Sequence, residues 1–229
     1  MSPSLARRAR LFDFVTLICG LFVALTALAM LFYPGGTQKN PHHPGYSFAL
    51  NFFSDLGRTR ALNGAANPLS ATLFTLALTL AGAALALFFG AFAGFFWTNL
   101  AARVLSLLGA FLGTVAGAAF VGVALVTADH NSPLHGAFVL AAFRAFFGAT
   151  LPFALAILIQ KPYPRLGAFI FLAFAGLLLA YIALITVGPS PREAGGLTIQ
   201  VVGQKIIVYA SIACVGAQSL LARKFLRSP

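Results

Sequence analysis

The side chains best suited to chemistry in this sequence lie beside apolar segments, at ends that are expected to share one face of a membrane. They are the four histidines and three of the four acidic residues, namely His42, His43, His130, His135, Asp55, Asp129 and Glu193. Imidazole and carboxylate groups act as general acids and bases, and both also bind zinc. The other segment ends carry mainly lysine and arginine, so a functional site is expected at the histidine-rich face.

The composition is that of an integral membrane protein. Of the 229 residues, 60% are hydrophobic and 8% are charged, whereas about a quarter of the residues in soluble domains are charged. Six apolar stretches are long enough to cross a hydrocarbon core of about 30 Å. They are Leu11–Tyr33, Leu69–Phe92, Ala102–Thr127, Leu134–Gln160, Leu166–Val187 and Thr198–Leu221. The sequence therefore predicts an all-α, polytopic membrane protein in which a six-helix bundle forms one transmembrane domain over residues 1–229.

The distribution of the basic residues predicts the orientation. One set of segment ends carries Arg7, Arg8, Arg10, Arg103, Lys161, Arg165, Arg223, Lys224 and Arg227, and the other carries only Lys39, Arg58, Arg60 and Arg192. Lysine and arginine accumulate in cytoplasmic loops, so both termini are expected in the cytoplasm of a bacterial or archaeal cell, with the histidine-rich loops outside. The same distribution accounts for the net charge of +11 without a nucleic-acid partner.

The first outer loop, residues 34–68, is the longest connection and the most polar. Within it, Asn51, Ser54, Asp55 and Arg58 follow the spacing i, i+3, i+4 and i+7, which places them on one face of a helix. We therefore expect a short amphipathic helix over Tyr46–Arg60 that lies at the outer membrane surface and presents a ligand-binding polar face inward. The alternative is a solvated connector with a weak Asp55–Arg58 surface pair.

Further candidates follow the third helix and open the fourth and sixth. Asp129, His130 and His135 are candidate acid–base residues together with Asp55, while Gln204 and Lys205 are candidate ligand-binding residues. His130, His135 and Asp55 would also supply enough ligands for a zinc ion. However, His130 and His135 are five residues apart across Pro133, so they do not share one helical turn. Interfacial histidines that contact water and lipid headgroups are the alternative.

Arg144 is the most unusual charge in the sequence. It lies nine residues beyond His135, about 13 Å deeper along a helix. A guanidinium at that depth costs several kcal/mol unless it has a polar partner. We expect the Arg144 side chain to point into the bundle and to pair with Asp55, with another oxygen, or with a lipid phosphate.

The chain resembles a known family over most of its length, and Asp129-His130 through His135-Gly136, with Phe143 and Phe146 following, is similar to the pattern of its fourth helix. The run Asn51-Phe52-Phe53-Ser54-Asp55-Leu56-Gly57-Arg58, followed by Asn67-Pro68-Leu69-Ser70, is similar to the Ser-Asp-Leu-Gly signature of the membrane family "domain of unknown function 998". That family is related to the Frag/DRAM/Sfk group of six-helix proteins. Gln204-Lys205 stands where many members have Glu-Arg. The resemblance implies a six-helix bundle with cytoplasmic termini, and a broad association with lipid remodelling or membrane homeostasis in the eukaryotic relatives, but no particular reaction.

Two functions follow as hypotheses. The first is a site at the outer-leaflet face that binds a lipid headgroup or acyl ester, with or without processing it. The second is a non-catalytic subunit or scaffold that packs against other membrane proteins, for which glycines at four-residue spacing in the helices would be the contact surface. Membrane lipids are the expected partners in the first case, and other membrane subunits in the second.

Overall fold

The computed structural model describes residues 3–161 and 163–227, and six long helices account for most of them. The helices are α1 (Pro3–Leu31), α2 (Pro68–Ala93), α3 (Leu100–Leu125), α4 (Ser132–Ile159), α5 (Leu166–Val187) and α6 (Gly196–Arg227). Each one is long and apolar enough to cross a membrane. The prediction of an all-α six-helix bundle in an integral membrane protein is confirmed.

Asparagine and proline define where several helices begin. The Asn99 side chain accepts from Ala102 N at 3.0 Å at the start of α3, and the Asn131 side chain accepts from Leu134 N at 3.1 Å at the start of α4. These bonds satisfy backbone donors that have no partner within a helix. Pro68 begins α2, at a position where its missing N–H group is not needed.

Two helices are longer than the hydropathy pattern predicts. α1 begins at Pro3 rather than Leu11, and α6 continues to Arg227 rather than ending at Leu221. The added turns are rich in arginine and lysine, which are good helix formers but are excluded from an apolar window. Hydropathy therefore marks the membrane-spanning part of these helices, not their whole length.

The helices form a closed ring in chain order. Each helix packs against its neighbours in sequence, and α6 packs back against α1. The close α3–α4 contacts pair Gly109 with Phe153 and Gly122 with Phe138, so the two helices run antiparallel. Short connections after α2, α3, α4 and α5 favour this up-and-down arrangement.

The two ends of the ring differ in charge and in structure. At the terminal end, where α1 begins and α6 ends, Asp13 forms ion pairs with Arg223 and Arg227, each at 2.9 Å. The opposite end, called here the loop end, carries residues 32–67, 126–131 and 188–195. These loops contain three of the four histidines and three of the four acids, and His135 lies in the first turn of α4, so the clustering expected from sequence is present.

The interior is divided into two apolar clusters. One reaches the terminal end and includes stacked or edge-on rings of Phe89, Phe92, Phe153 and Phe171. The other lies at the loop end around Phe22, Phe53 and Phe74. The second cluster fixes the long first loop to the helices, because Phe53 belongs to that loop.

The predicted amphipathic helix over Tyr46–Arg60 is wrong. The only helical part of this segment is a five-residue 3-10 helix, Phe53–Gly57, between turns. Its start is held by the Asp55 side chain, which accepts from Phe52 N at 2.8 Å. Asparagine and aspartate compete in this way with helical hydrogen bonding, and here both turn inward instead of facing a membrane surface.

Candidate functional site

The first loop places two polar side chains inside the bundle. Asn51 is fully buried and Asp55 is 3% exposed. The Asn51 amide donates to Gly36 O at 2.9 Å and to Asp55 Oδ2 at 3.4 Å, and its oxygen accepts from Ser47 N at 2.9 Å. These bonds fold the loop around its own side chains, and buried polar groups of this kind need such partners.

Helix α6 contributes two further polar side chains at the same level. Gln204 Oε1 accepts from Phe53 N at 2.6 Å, and Lys205 Nζ donates to Asn51 O at 2.5 Å. The Lys205 ammonium also lies 5.3 to 5.6 Å from the centres of the Tyr46, Phe48 and Phe53 rings, within the range of cation–π attraction. Asn51, Asp55, Gln204 and Lys205 together are called the polar layer below.

The polar layer has a distinct electrostatic character. Burial raises the pKa of the Asp55 carboxyl, against the opposing effects of Arg58, the hydrogen bonds from Asn51 and Phe52, and Lys205. Burial likewise raises the pKa of the Tyr46 phenol well above its ordinary value. Each residue of the layer is buried, and a low-dielectric environment disfavours the charged form of an acid.

An apolar cavity lies directly beneath the polar layer. The space within it that is open to water-sized groups is about 90 Å³, and one side of the cavity is open. The walls come from α1, α2, α3, α4 and α6, and they include Phe22, Phe74, Leu85, Val123, Phe143, Phe146 and Val208. Several of these residues belong to one apolar cluster and several to the other. The cavity is thus the gap between the two clusters.

Three polar residues border this cavity, and they differ in their partners. Gln204 is bonded to Phe53 N, and the Ser211 hydroxyl donates to Ile207 O of its own helix at 2.7 Å. Ser54 is half-buried, and no hydrogen bond to its hydroxyl occurs within residues 3–161 and 163–227. The Ser54 hydroxyl is therefore the polar group best placed to bond a molecule inside the cavity.

Asp129 has a structural role at the loop end. Its Oδ2 atom accepts from Thr59 N at 2.8 Å, Thr59 Oγ1 at 2.7 Å and Arg60 N at 3.1 Å. Partial burial acts to raise the pKa of Asp129, but these hydrogen bonds outweigh it and hold the pKa well below its usual range. A carboxylate bonded in this way joins the first loop to the α3–α4 loop and is a poor proton acceptor.

The histidines do not form the predicted centre. His135 is 7% exposed, and its Nδ1 atom lies 2.6 Å from Val126 O, where the ring links the start of α4 to the end of α3. His130 is exposed in the connecting loop. Throughout the described ranges, no three His, Cys, Asp or Glu side chains are grouped so that they could hold a metal ion. The zinc hypothesis for His130, His135 and Asp55 is therefore not supported by the geometry.

The predicted position of Arg144 is also wrong. Arg144 is exposed on the outside of α4, and within the described parts of the chain it makes no hydrogen bond or ion pair. The ion pairs found there are those of Asp13, so Arg144 does not pair with Asp55. Buried phenylalanines on either side of it, Phe143 and Phe146, occupy the inward face that Arg144 was expected to share.

Arg58 lies at the edge of the polar layer instead of within it. It is half-buried, and its Nε atom donates to Arg60 O at 3.3 Å. Its positive charge nevertheless acts on the Asp55 carboxyl. Of the predicted ligand-binding set, Asn51, Gln204 and Lys205 come together with Asp55, Ser54 borders the cavity, and Arg144 is remote from all of them.

The cavity itself was not predicted from the sequence. Its walls are ordinary apolar residues such as Val15, Ile18 and Val139, which no motif distinguishes from other lipid-facing or core positions. The Ser211 hydroxyl, within the apolar part of α6, was a weak signal of it.

Comparison with known proteins adds no relative. No family model matches the chain, and no curated protein or solved structure matches it significantly. The similarity of the Ser54-Asp55-Leu56-Gly57 segment to domain of unknown function 998 therefore stays a prediction.

Proposed function

We propose that this protein binds a membrane lipid, with a hydrocarbon chain in the cavity and the polar part of the molecule at Ser54 and Gln204. The observation that carries the proposal is the position of the cavity. Apolar walls within the membrane-spanning helices meet a buried polar layer at the loop end. A molecule that is apolar along most of its length and polar at one end matches both parts.

The chemistry of the cavity supports a lipid chain rather than a polar solute. Binding pockets are mostly apolar, with a few placed polar groups. Here the few polar groups are Ser54, Gln204 and Ser211. A lipid chain that entered from the bilayer would exchange one apolar environment for another, so its affinity would come from close contact and from the bond to Ser54.

The proposal contains binding and no bond cleavage. Of the acid–base candidates that sequence reasoning favoured, Asp129 accepts three hydrogen bonds from the first loop, the His135 ring contacts Val126 O, and His130 is exposed in the α3–α4 loop, away from the cavity lining. Asp55 is held by Phe52 N and Asn51. In this arrangement Asp55 and Lys205 position the first loop over the cavity.

We further propose that the loop end faces the outside of the cell and that both termini are cytoplasmic. Nine basic residues at the terminal ends of the helices against four at the loop end support this orientation. A cysteine introduced at exposed Asn63 is expected to react with an impermeant maleimide in intact cells. Labelling only after the membrane is opened would mean that the loop end is cytoplasmic. That result would leave the lipid proposal unchanged.

Native mass spectrometry of gently solubilised protein tests the binding. We expect a retained lipid in the wild-type spectrum and a strong loss of it in Ala81→Phe, since Ala81 lines the cavity. Ala83→Phe is the matched control, because Ala83 lies two residues away on the same helix and is exposed. Ser54→Ala should weaken retention by about 2- to 10-fold, as expected for one neutral hydrogen bond.

Two results would contradict the proposal. One is wild-type protein that carries no lipid in any mild detergent. The other is equal lipid retention in Ala81→Phe and Ala83→Phe, with far-UV circular dichroism showing that both variants are folded, because that result would place the lipid outside the cavity.

A further inference from the structure

Arg144 lies where a charge is hardest to accommodate. It is near the middle of α4, which spans Ser132–Ile159, and it is exposed on the outer surface of the ring. It lies about 13 Å along the helix from His135 at the loop end, farther than three methylene groups extend. A guanidinium with no oxygen partner at this depth is costly, so the isolated chain leaves an interaction unsatisfied.

No acidic residue of the chain is placed to pair with Arg144. It contains four acidic residues, and each has another place in the structure. Asp13 pairs with Arg223 and Arg227 at the terminal end. Asp55 is buried in the polar layer, Asp129 is bonded to the first loop, and Glu193 lies in the loop before α6. A second copy of the chain therefore cannot place a carboxylate opposite Arg144 at mid-membrane.

The surface of α4 on the loop-end side of Arg144 carries small residues. Ala137 and Ala141 lie at positions −7 and −3 relative to Arg144, which places them on the same face of α4. Both are exposed, whereas Gly148, one turn beyond Arg144, packs toward Leu112 of α3. Small residues allow helix backbones to approach closely in lipid, where contact and polar bonds drive association.

We infer that this face of α4 binds a transmembrane helix of a different protein that carries an aspartate or glutamate near its centre. Charge complementarity identifies the partner's chemistry, because a carboxylate accepts two parallel hydrogen bonds from a guanidinium. The small residues provide the close approach that this bond needs. The inference is independent of the lipid proposal, because Arg144 does not line the cavity.

A synthetic transmembrane peptide tests this chemistry directly. The full-length protein is reconstituted in phosphatidylcholine vesicles with a leucine–alanine peptide that carries one central glutamate, or leucine at the same position, and a dansyl group at each end. The chain has one tryptophan, Trp97, which lies at the terminal end near the end of α4, where Asn99 N donates to Gln160 Oε1. Energy transfer from Trp97 to dansyl therefore reports docking of the peptide on the bundle, and the Arg144 variants locate it on α4.

We expect wild-type protein to bind the glutamate peptide about 10-fold more tightly than the leucine peptide, in line with polar helix–helix bonds in membranes. Arg144→Leu should abolish the difference, and Arg144→Lys should keep part of it. Both variants should fold, because the side chain makes no contact that the fold requires. The matched control is Arg165→Leu, which removes another exposed arginine at a helix end and should leave the difference intact.

Three results would overturn the inference. Equal binding of the two peptides is the first, and an unchanged preference in Arg144→Leu is the second. The third is phosphatidylglycerol, added to the vesicles, that is retained by wild-type protein and lost in Arg144→Leu. That result would mean that the partner of Arg144 is a lipid and not a helix.

Discussion

A close backbone contact between α2 and α3 provides a sharp test of the fold. Gly82 on α2 faces Gly117 on α3, and a methyl group added at Gly82 would lie 2.6 Å from Gly117 O and 3.0 Å from the Val121 side chain. Ordinary contact begins at 3.4 Å. Because the obstacle is a backbone oxygen, it cannot rotate away as a side chain would. Gly82→Ala therefore requires α2 and α3 to separate by about 0.8 Å or to bend locally.

Such overpacking of a close-packed interface costs about 1–3 kcal/mol. Replacing a glycine by alanine within a helix stabilises that helix by up to about 1 kcal/mol, which offsets part of this cost. We therefore expect Gly82→Ala to lower the free energy of unfolding by about 1–2 kcal/mol. Gly90→Ala on the same helix is the control. Gly90 is exposed, and nothing lies within 4 Å of an added methyl group, so this variant should be as stable as wild type or slightly more stable.

Unfolding in mixed micelles with increasing sodium dodecyl sulfate, followed by far-UV circular dichroism, measures the two variants against wild type. The midpoint for Gly82→Ala should move to lower denaturant and the midpoint for Gly90→Ala should not. Since both α2 and α3 line the cavity, Gly82→Ala should also change lipid retention. Equal midpoints for the two variants would refute the α2–α3 packing described here.

Two further predictions concern charges at the ends of the bundle. Because hydrogen bonds hold the pKa of Asp129 below its usual range, its stabilising effect is present at neutral pH and is lost as the pH falls below about 4. Asp129→Asn should abolish this loss of stability at low pH and should speed amide hydrogen exchange at Thr59. Unchanged exchange at Thr59 would mean that Asp129 does not hold the loop. Asp13→Asn should cost less than about 1 kcal/mol, because its arginine pairs are partly exposed. The cost should shrink in high salt, and a larger, salt-independent cost would show that Asp13 has a role beyond these pairs.

The membrane class and the six spans could be read from the sequence, because both depend on composition summed over long windows. A stretch of some 20 apolar residues can only be stable in a bilayer as a helix, since every backbone polar group must be bonded within the segment. Local signals were also sufficient for several helix starts. Asn99, Asn131 and Pro68 act through bonds or constraints that reach only a few residues along the chain.

The sequence was less informative about the polar residues. It indicated correctly that the histidines and most of the acids gather at one end, and its candidate site residues included Asn51, Asp55, Gln204 and Lys205 among others. It suggested the wrong local structure for the first of these, since the i, i+3, i+4 spacing of Asn51, Ser54 and Asp55 is equally compatible with a folded loop. The loop is stabilised by contacts with Gln204 and Lys205, about 150 residues away, and no local pattern contains such contacts.

Only the tertiary structure decided the direction of Arg144 and the existence of the cavity. In a helix that is apolar on all sides, hydropathy does not distinguish the face toward the bundle from the face toward lipid. Arg144 was assigned to the interior only because an unpaired guanidinium in the bilayer is costly. In the structure, Phe143 and Phe146 occupy that interior. The cavity likewise depends on how five elements of the ring fit together, and a gap between packed surfaces is a property of the assembled helices that no single segment encodes.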